Sequence, residues 1–442
     1  RQKNIMHVTT ELHFWFNHQS RCKIQKFNKY IITMPEIRLK KFLGLNELGQ
    51  KGEVSKKNPL THFNFYDFTV TSGNLIVFKS GVVPLLSGWI IDGRILITDD
   101  GQILGEGFNW DVPSIGFVIT SQNKKLNVNP GPENLSIIGL DNVDGGPCDI
   151  NRKIDDDVIA NSIFLSGFNN LSHFMMEIAP KSLLFPEITT SHPYIKNVSA
   201  SNLVPKKWIE YSIKTAESLT KTDFRLKVKQ FNPDKAVRFK NILAITSITY
   251  RDADNDIRMS ANRARQFSQQ MCKNAAASNQ SNPYILYLSR KHASHRRTLN
   301  QDNLIKITKK VFPKFSFVLE DQIHKLSMED QAKLIYNASL IIEEAGGSTG
   351  FTSNLIDKEV PYVCILSSQR TNHAPIIYLS GLGKYAAWVM GEPVGKLTES
   401  PVIDNDIQVN ENDFEDLMNR LSFFVDKKIP MPELEIGSYT TY

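Results

Sequence analysis

Cysteine is scarce in this chain. Its 442 residues include four, Cys22, Cys148, Cys272 and Cys364, all far apart. They form no C-x-x-C pair and no Cys/His cluster at zinc-ligand spacing, which excludes zinc fingers and disulfide-stapled scaffolds. Thiols scattered in this way suit a reducing compartment, so a cytoplasmic location is expected. No run of 18 apolar residues is long enough to span a bilayer, and no signal-peptide core is visible. No DNA- or RNA-binding signature is present, so no nucleic-acid partner is expected. Negative charge is sparse at one end. Residues 1–57 hold twelve Lys and Arg against four Glu and no Asp, in a chain whose net charge is only +6. That arm reads as a solvated basic segment, or as one resting on an anionic membrane surface in peripheral contact at its inner face.

What is present is a globular composition, 41% hydrophobic and 22% charged. The length is too great for one ordinary core. After the basic arm (1–57), residues 58–150 read as a small antiparallel β region, with "GWIIDGRILITDDGQILGEG" punctuated by Asp92-Gly93 and Asp100-Gly101 hairpin signals. The stretch from Asp141 to Asp149 reads as a loop or linker, and the acidic runs Asp155–Asp157 and Asp252–Asp256 as solvated loops rather than metal sites. From 151 the pattern turns α/β. Strands "SIFLSG" and "NILAITSITY" alternate with helical "NLSHFMMEIAPKSLLF" and "IRMSANRARQFSQQMC". From 276 the alternation is regular: "YILYLS", "FSFVLE", "SLIIEE" and "PYVCIL" are near-continuous apolar strands separated by helices, with Ser327 and Asp330 spaced as a capping box. Such alternation indicates a parallel sheet covered on both faces. The expected architecture is two doubly wound, Rossmann-like domains, 151–275 and 276–395, with the tail 396–442 packing back on the core.

Three features carry chemistry. Arg290, Lys291, Arg296 and Arg297 follow strand "YILYLS" directly. Ligands of doubly wound sheets sit beyond the carboxyl ends of strands, where guanidinium groups pair with a diphosphate. The loop "EEAGGSTGFTSN" lies between a strand and a helix. Gly346, Gly347 and Gly350 permit tight turns, and Ser348 and Thr349 add hydroxyls. It is neither a Walker motif nor a clean G-x-G-x-x-G, yet with the arginines it is suited to the two phosphates of a nucleotide sugar. Neither loop needs a metal. In "HFMMEIAP", His173 and Glu177 share a helix face at i and i+4. They read as a base for a sugar hydroxyl, or as a structural pair.

In this order and spacing the blocks resemble glycosyltransferase family 61, the group related to capsular-polysaccharide biosynthesis proteins. The resemblance rests on His173, Glu177 and Pro180; on Ser289, Arg290, Arg296, Arg297 and Asn300; on Ser327 and Gln331; and on Gly346, Gly347, Ser348 and Asn354. It covers roughly residues 155–390. Glu177 stands where the family commonly has Asp, and the histidine usual in the last block is absent. The resemblance implies a GT-B-like fold, with two Rossmann-like domains facing a cleft, and inverting transfer of a sugar from a nucleotide-sugar donor to a glycan or lipid-linked glycan acceptor. It further implies no obligatory metal or other cofactor, an acceptor domain at 151–275, and a donor domain at 276–395. Catalysis would rest on His173 and Glu177, and donor binding on Ser289, Arg290, Arg296, Arg297, Asn300, Gly346, Gly347, Ser348, Thr349 and Asn354. Two other readings stand beside it: a nucleotide-sugar epimerase on a similar fold, and a non-catalytic nucleotide- or glycan-binding component.

Overall fold

The computed structural model describes residues between 68 and 427, with internal breaks of which the longest are 105–116, 119–125, 277–282, 368–378 and 396–404. The basic arm 1–57, the acidic run Asp252–Asp256 and residues 428–442 lie outside the described residues. Two compact units divide the chain between Phe267 and Ser268. Both are α/β, the class expected from the sequence.

The first unit is built on a twelve-stranded mixed sheet. Its central strands are β1 (Val82–Ile91), β2 (Pro147–Phe164), β3 (Asn197–Ser201), β4 (Lys227–Phe231) and β5 (Ala236–Ile245). β5 lies between β1, to which it is antiparallel, and β2, to which it is parallel. β3 then runs parallel to both β2 and β4. Strands from either side of residue 150 therefore share one sheet. The Asp92-Gly93 turn forms as its sequence demands. Both residues have positive φ, and the Arg94 N–H donates to the Ile91 carbonyl.

Three local expectations fail here for one reason, that ladder pairing overrides local propensity. The two described ends of the Asp141–Asp149 linker are strand, Asn134–Asn142 pairing antiparallel with the start of β2, and residues 143–146 lie outside the described residues. Asp155–Asp157 do not form a loop but lie within β2. The ladder steps from Ala236–Ile154 to Arg238–Val158, so the acidic residues form a bulge, with the Asp157 N–H donating to Asp155. Ile257–Met259, expected to open a helix, pairs instead with Thr249–Arg251. The helix begins later, at Ala261. Helix α1 (Lys206–Thr220) buries Trp208, Ile209, Ile213 and Ala216 along one stripe and ends at Lys221, which takes the left-handed conformation. Helix α2 spans Ala261–Ala276.

The second unit contains β6 (Tyr284–Leu288), β7 (Ser316–Glu320), β8 (Leu340–Glu344), β9 (Tyr362–Ser367), β10 (Ala387–Pro393) and β11 (Ile407–Gln408). The sheet order is β7-β6-β8-β9-β10-β11, parallel except for the last pair. Counting the parallel strands along the chain, this is the 2-1-3-4-5 order of doubly wound sheets, whose direction of winding reverses between β6 and β8. The apolar runs explain the placement. Every residue of β6, β8 and β9 is buried, whereas edge strand β7 is half open.

Alternation sorts side chains to the two faces. Ile285, Tyr287, Leu340, Ile342, Val363 and Ile365 meet Leu304 of α3 (Gln301–Val311) and Phe414, Leu417 and Leu421 of α6 (Glu411–Lys427). Helix α4 (Met328–Tyr336) buries Met328, Ala332 and Ile335 and is capped by Ser327, whose Oγ accepts from the Asp330 N–H as the capping-box spacing predicts. Helix α5 (Thr349–Leu355) starts inside the glycine-rich segment, where the sequence suggested a loop and a later start. The Gly346 N–H donates to Thr349 Oγ1, closing the turn that launches it. The tail folds onto its own unit through β11 and α6. No helix among the described residues is long and apolar enough to cross a membrane.

Candidate active site

In the first unit, residues 171–184 form one continuous helical segment with an irregular ladder. A short α turn leads into a π turn at Phe174–Ile178 and a 3₁₀ stretch at Ala179–Leu184. Pro180 accounts for this. It has no N–H to return to residue 176, and its ring crowds that carbonyl. The ladder widens, and the Ala179 N–H reaches back five residues to the Phe174 carbonyl. Turns of this kind recur at functional sites. Asn170 opens the segment by accepting from the His173 N–H. Phe174 packs on Trp208 of α1, and Ser182 Oγ donates to the Ser212 carbonyl.

His173 and Glu177 meet as the spacing predicts, with Nδ1 to Oε1 at 2.7 Å. The Glu177 side chain is 8% exposed and that of His173 19%. With the carboxylate ionised, Nδ1 carries the proton and donates it, so Nε2 is the basic nitrogen of a neutral ring. One further turn along, Lys181 is fully buried, and burial pulls its ammonium well below the ordinary lysine range. Its position four residues after Glu177 was available in the sequence but not singled out.

In the second unit, the exits of β6 and β8 lie side by side at the point where winding reverses. Arg290, two residues after β6, crosses to the β8 exit. A Cβ built on Gly346 would collide with Arg290 Nη1, so only glycine leaves room for the guanidinium. Nη2 of the same guanidinium donates to the His295 carbonyl at 3.2 Å. Arg296 takes the left-handed conformation, φ 58°, and donates to His295 Nε2. The two loops singled out in the sequence therefore converge, with Arg290 as their junction.

Other expected donor residues have partners within the unit. Arg297 forms a two-pronged ion pair with Asp406, and its N–H donates to the same carboxylate. Asn300 donates to the Val409 carbonyl and Glu411, and accepts from the Val409 N–H. Ser289 Oγ donates to Gln301 at 2.6 Å and accepts from the Lys291 N–H. Ser348 Oγ donates to Glu343 at 2.6 Å, with Thr349 Oγ1 next to it at 3.5 Å. Among the described residues other than its chain neighbours, no atom lies within 4 Å of where a Cβ on Gly347 would stand. Asn354 is buried in α5, its amide donating to the Gly350 carbonyl. The Asn354 carbonyl accepts from Ser268 Oγ, Cys272 Sγ and Lys384 Nζ. Lys384, buried and brought down to about 8 by desolvation, also donates to the Ser353 carbonyl, so it caps the end of α5. Gln331 is likewise internal, donating to the Leu326 carbonyl.

The carboxylates Glu343 and Glu344, at the end of β8, were quoted in the sequence motif but given no role. Alternation sends them to opposite faces of the sheet. Glu343 accepts from Tyr362 Oη at 2.7 Å and from Ser348; Glu344 accepts from Tyr287 Oη at 3.0 Å and from the Arg290 N–H at 2.9 Å. Burial raises both above the usual carboxylate range, against the lowering effect of these donors. Among the described residues, no group of three or more His, Cys, Asp and Glu is placed to hold a metal ion.

The family model described as Glycosyltransferase 61 matches residues 171–349, from the start of the His173 segment to the start of α5. No curated protein matches the chain. Among solved structures, the dodecameric iron-containing heptosyltransferase TibC in complex with ADP-D-β-D-heptose aligns at 12% identity, covering 81% of this chain and 94% of that one, with a TM-score of 0.31. The E. coli heptosyltransferase WaaC with ADP aligns at 10% identity, covering 60% and 99%, with a TM-score of 0.29. Over residues 171–349, the segment that carries both the His173–Glu177 pair and the Arg290–Gly346 junction, this chain is similar to glycosyltransferase family 61.

Proposed function

We propose that the chain transfers a sugar from a nucleotide-sugar donor to a glycan or lipid-linked glycan acceptor with inversion at the anomeric carbon, in the assembly of a capsule or other surface polysaccharide. The observation that carries this reading is the convergence of Arg290 with the glycine-rich turn at the reversal point of the second unit's sheet. Doubly wound sheets bind ligands there, and a guanidinium over backbone N–H groups complements a diphosphate. Arg290 would stabilise charge developing on the leaving nucleoside diphosphate, which is the electrostatic work a metal ion does elsewhere. No obligatory metal is therefore part of the proposal.

The His173–Glu177 pair supplies the second requirement, a base for the attacking hydroxyl. Glu177 fixes the tautomer and orientation of His173, leaving Nε2 to take the proton. In an inverting step that hydroxyl oxygen forms the new bond to the anomeric carbon as the bond to the diphosphate oxygen breaks. The proton passes to His173 and the electron pair leaves on the diphosphate. The site of action proposed is cytoplasmic, with the basic arm 1–57 in peripheral contact with the membrane. A test is to incubate the protein with candidate nucleotide sugars and glycan acceptors in EDTA, following nucleoside diphosphate release and the anomeric configuration of the product. Acceptor-dependent release with inverted product supports the reading. Retained configuration or an EDTA-abolished reaction contradicts its mechanism, and conversion of nucleotide sugar without acceptor assigns an epimerase.

A further inference from the structure

Arg290 sits on a loop with no regular secondary structure, and a loop arginine placed only by chain connectivity would lose much of its binding energy to ordering. Glu344 removes that freedom. It is 2% exposed and lies at the last position of β8, on the face it shares with Leu340 and Ile342. Its carboxylate accepts from Tyr287 Oη, on β6, and from the backbone N–H of Arg290, three residues further on. One side chain thus holds the strand and the start of the basic loop. The groups around it are donors, so the position calls for an acceptor on both oxygens. Glutamine would turn an NH₂ toward a donor and break the set.

From this we infer that Glu344 is a positioning residue, which fixes the backbone at Arg290 so that its guanidinium is presented over Gly346 to the diphosphate of the donor. The inference rests on the proposed donor site and goes beyond it, because Glu344 itself touches no ligand. Its neighbour shows the division of labour. Glu343, on the opposite face, secures the glycine-rich turn through Ser348 and Tyr362, and Glu344 secures the arginine loop.

The test is a double-mutant cycle read by ligand affinity. Wild type, Glu344→Gln, Arg290→Ala and the double variant are titrated with ADP, GDP, UDP, CDP and inorganic pyrophosphate, with unliganded unfolding midpoints recorded alongside. Glu344→Gln is expected to weaken the best ligand about tenfold, the scale of losing a hydrogen bond to a charged group. The double variant is expected to bind no worse than Arg290→Ala, since the two act through one contact. A purely structural role lowers the unfolding midpoint but leaves affinity unchanged, or adds its loss to that of Arg290→Ala; either result overturns the inference and leaves the donor site standing. If wild type binds none of the ligands, the donor-site reading falls and the inference with it. Should Glu344→Gln not fold, Tyr287→Phe decides the matter by removing one donor while keeping the ring that fills the core. About threefold weaker binding, non-additive with Arg290→Ala, supports the inference, and unchanged affinity overturns it.

Discussion

The two candidate centres are built in opposite ways. His173 and Glu177 are four residues apart on one helical segment, and their 2.7 Å contact is local geometry. Arg290 and Gly346 are brought together by two strand exits of a parallel sheet, and Glu344, Asp406 and Lys384 that support the surrounding structure come from positions distant in the chain. A local pair tolerates changes elsewhere in the fold so long as its helix persists. A junction assembled from several loops depends on every contact that sets the loop backbones. The proposed base should therefore respond to substitution only at its own residues, and the proposed anion site also to substitution at residues that touch no ligand.

Four experiments sharpen or break that contrast. The largest effect is expected at the local pair. His173→Ala should lower kcat by about 10²–10⁴-fold, the usual worth of a general base, with nucleotide affinity unchanged. Steady-state kinetics together with nucleotide titration check this, and an unchanged kcat removes His173 from the chemistry. Next comes Gly346→Ala. The added Cβ displaces the Arg290 guanidinium, and nucleoside diphosphate affinity should fall about tenfold without loss of fold, as measured by calorimetry. Third is Lys384→Met, which removes the buried donor to the Ser353 carbonyl at the end of α5 and leaves the Asn354 carbonyl with Ser268 and Cys272. Urea unfolding should show a loss of about 1–3 kcal/mol, the cost of stranding a buried acceptor.

The smallest effect concerns pH. Arg297 beside Asp406 holds that carboxyl below the usual carboxylate range. A depressed carboxylate contributes stability above its unfolded pKa, about 3.9, and loses it as pH falls through its still lower folded value. The contribution is small because the Arg297 side chain is exposed to solvent. The amide protons of Ile407 and Leu299, which bond across this clip, should exchange faster as pH drops through that range relative to those of β8. Equal relative protection across the range would show that the ion pair does not hold the clip.

The same contrast explains what the sequence disclosed. Strand–helix alternation after residue 276, the Ser327 cap and the His173–Glu177 pair depend on periods of two to four residues, and each is found where the pattern put it. The convergence of the basic and glycine-rich loops was legible one step further, through the rule for strand exits. What escaped is non-local. Arg297 and Asn300 read as donor ligands, but the structure pairs them with Asp406, Val409 and Glu411, about a hundred residues away, and no local pattern encodes that pairing. Asn354 looked like the end of a ligand loop and instead ends a buried helix whose carbonyls Lys384 caps. Asp155–Asp157 carried the composition of a loop and the ladder absorbed them as a bulge. Glu343 and Glu344 were hidden by their type. Acidic residues behind an anion site look out of place until the donors around them are counted.

The central claim is that the β6–β8 reversal point binds a nucleoside diphosphate through Arg290. Isothermal titration of ADP, GDP, UDP and CDP into wild type and Arg290→Ala, in EDTA, tests it most directly. The account predicts saturable, metal-independent binding of at least one nucleotide to wild type and a loss of about tenfold or more in the variant. Equal affinity in the two proteins, or no binding to wild type, would contradict it.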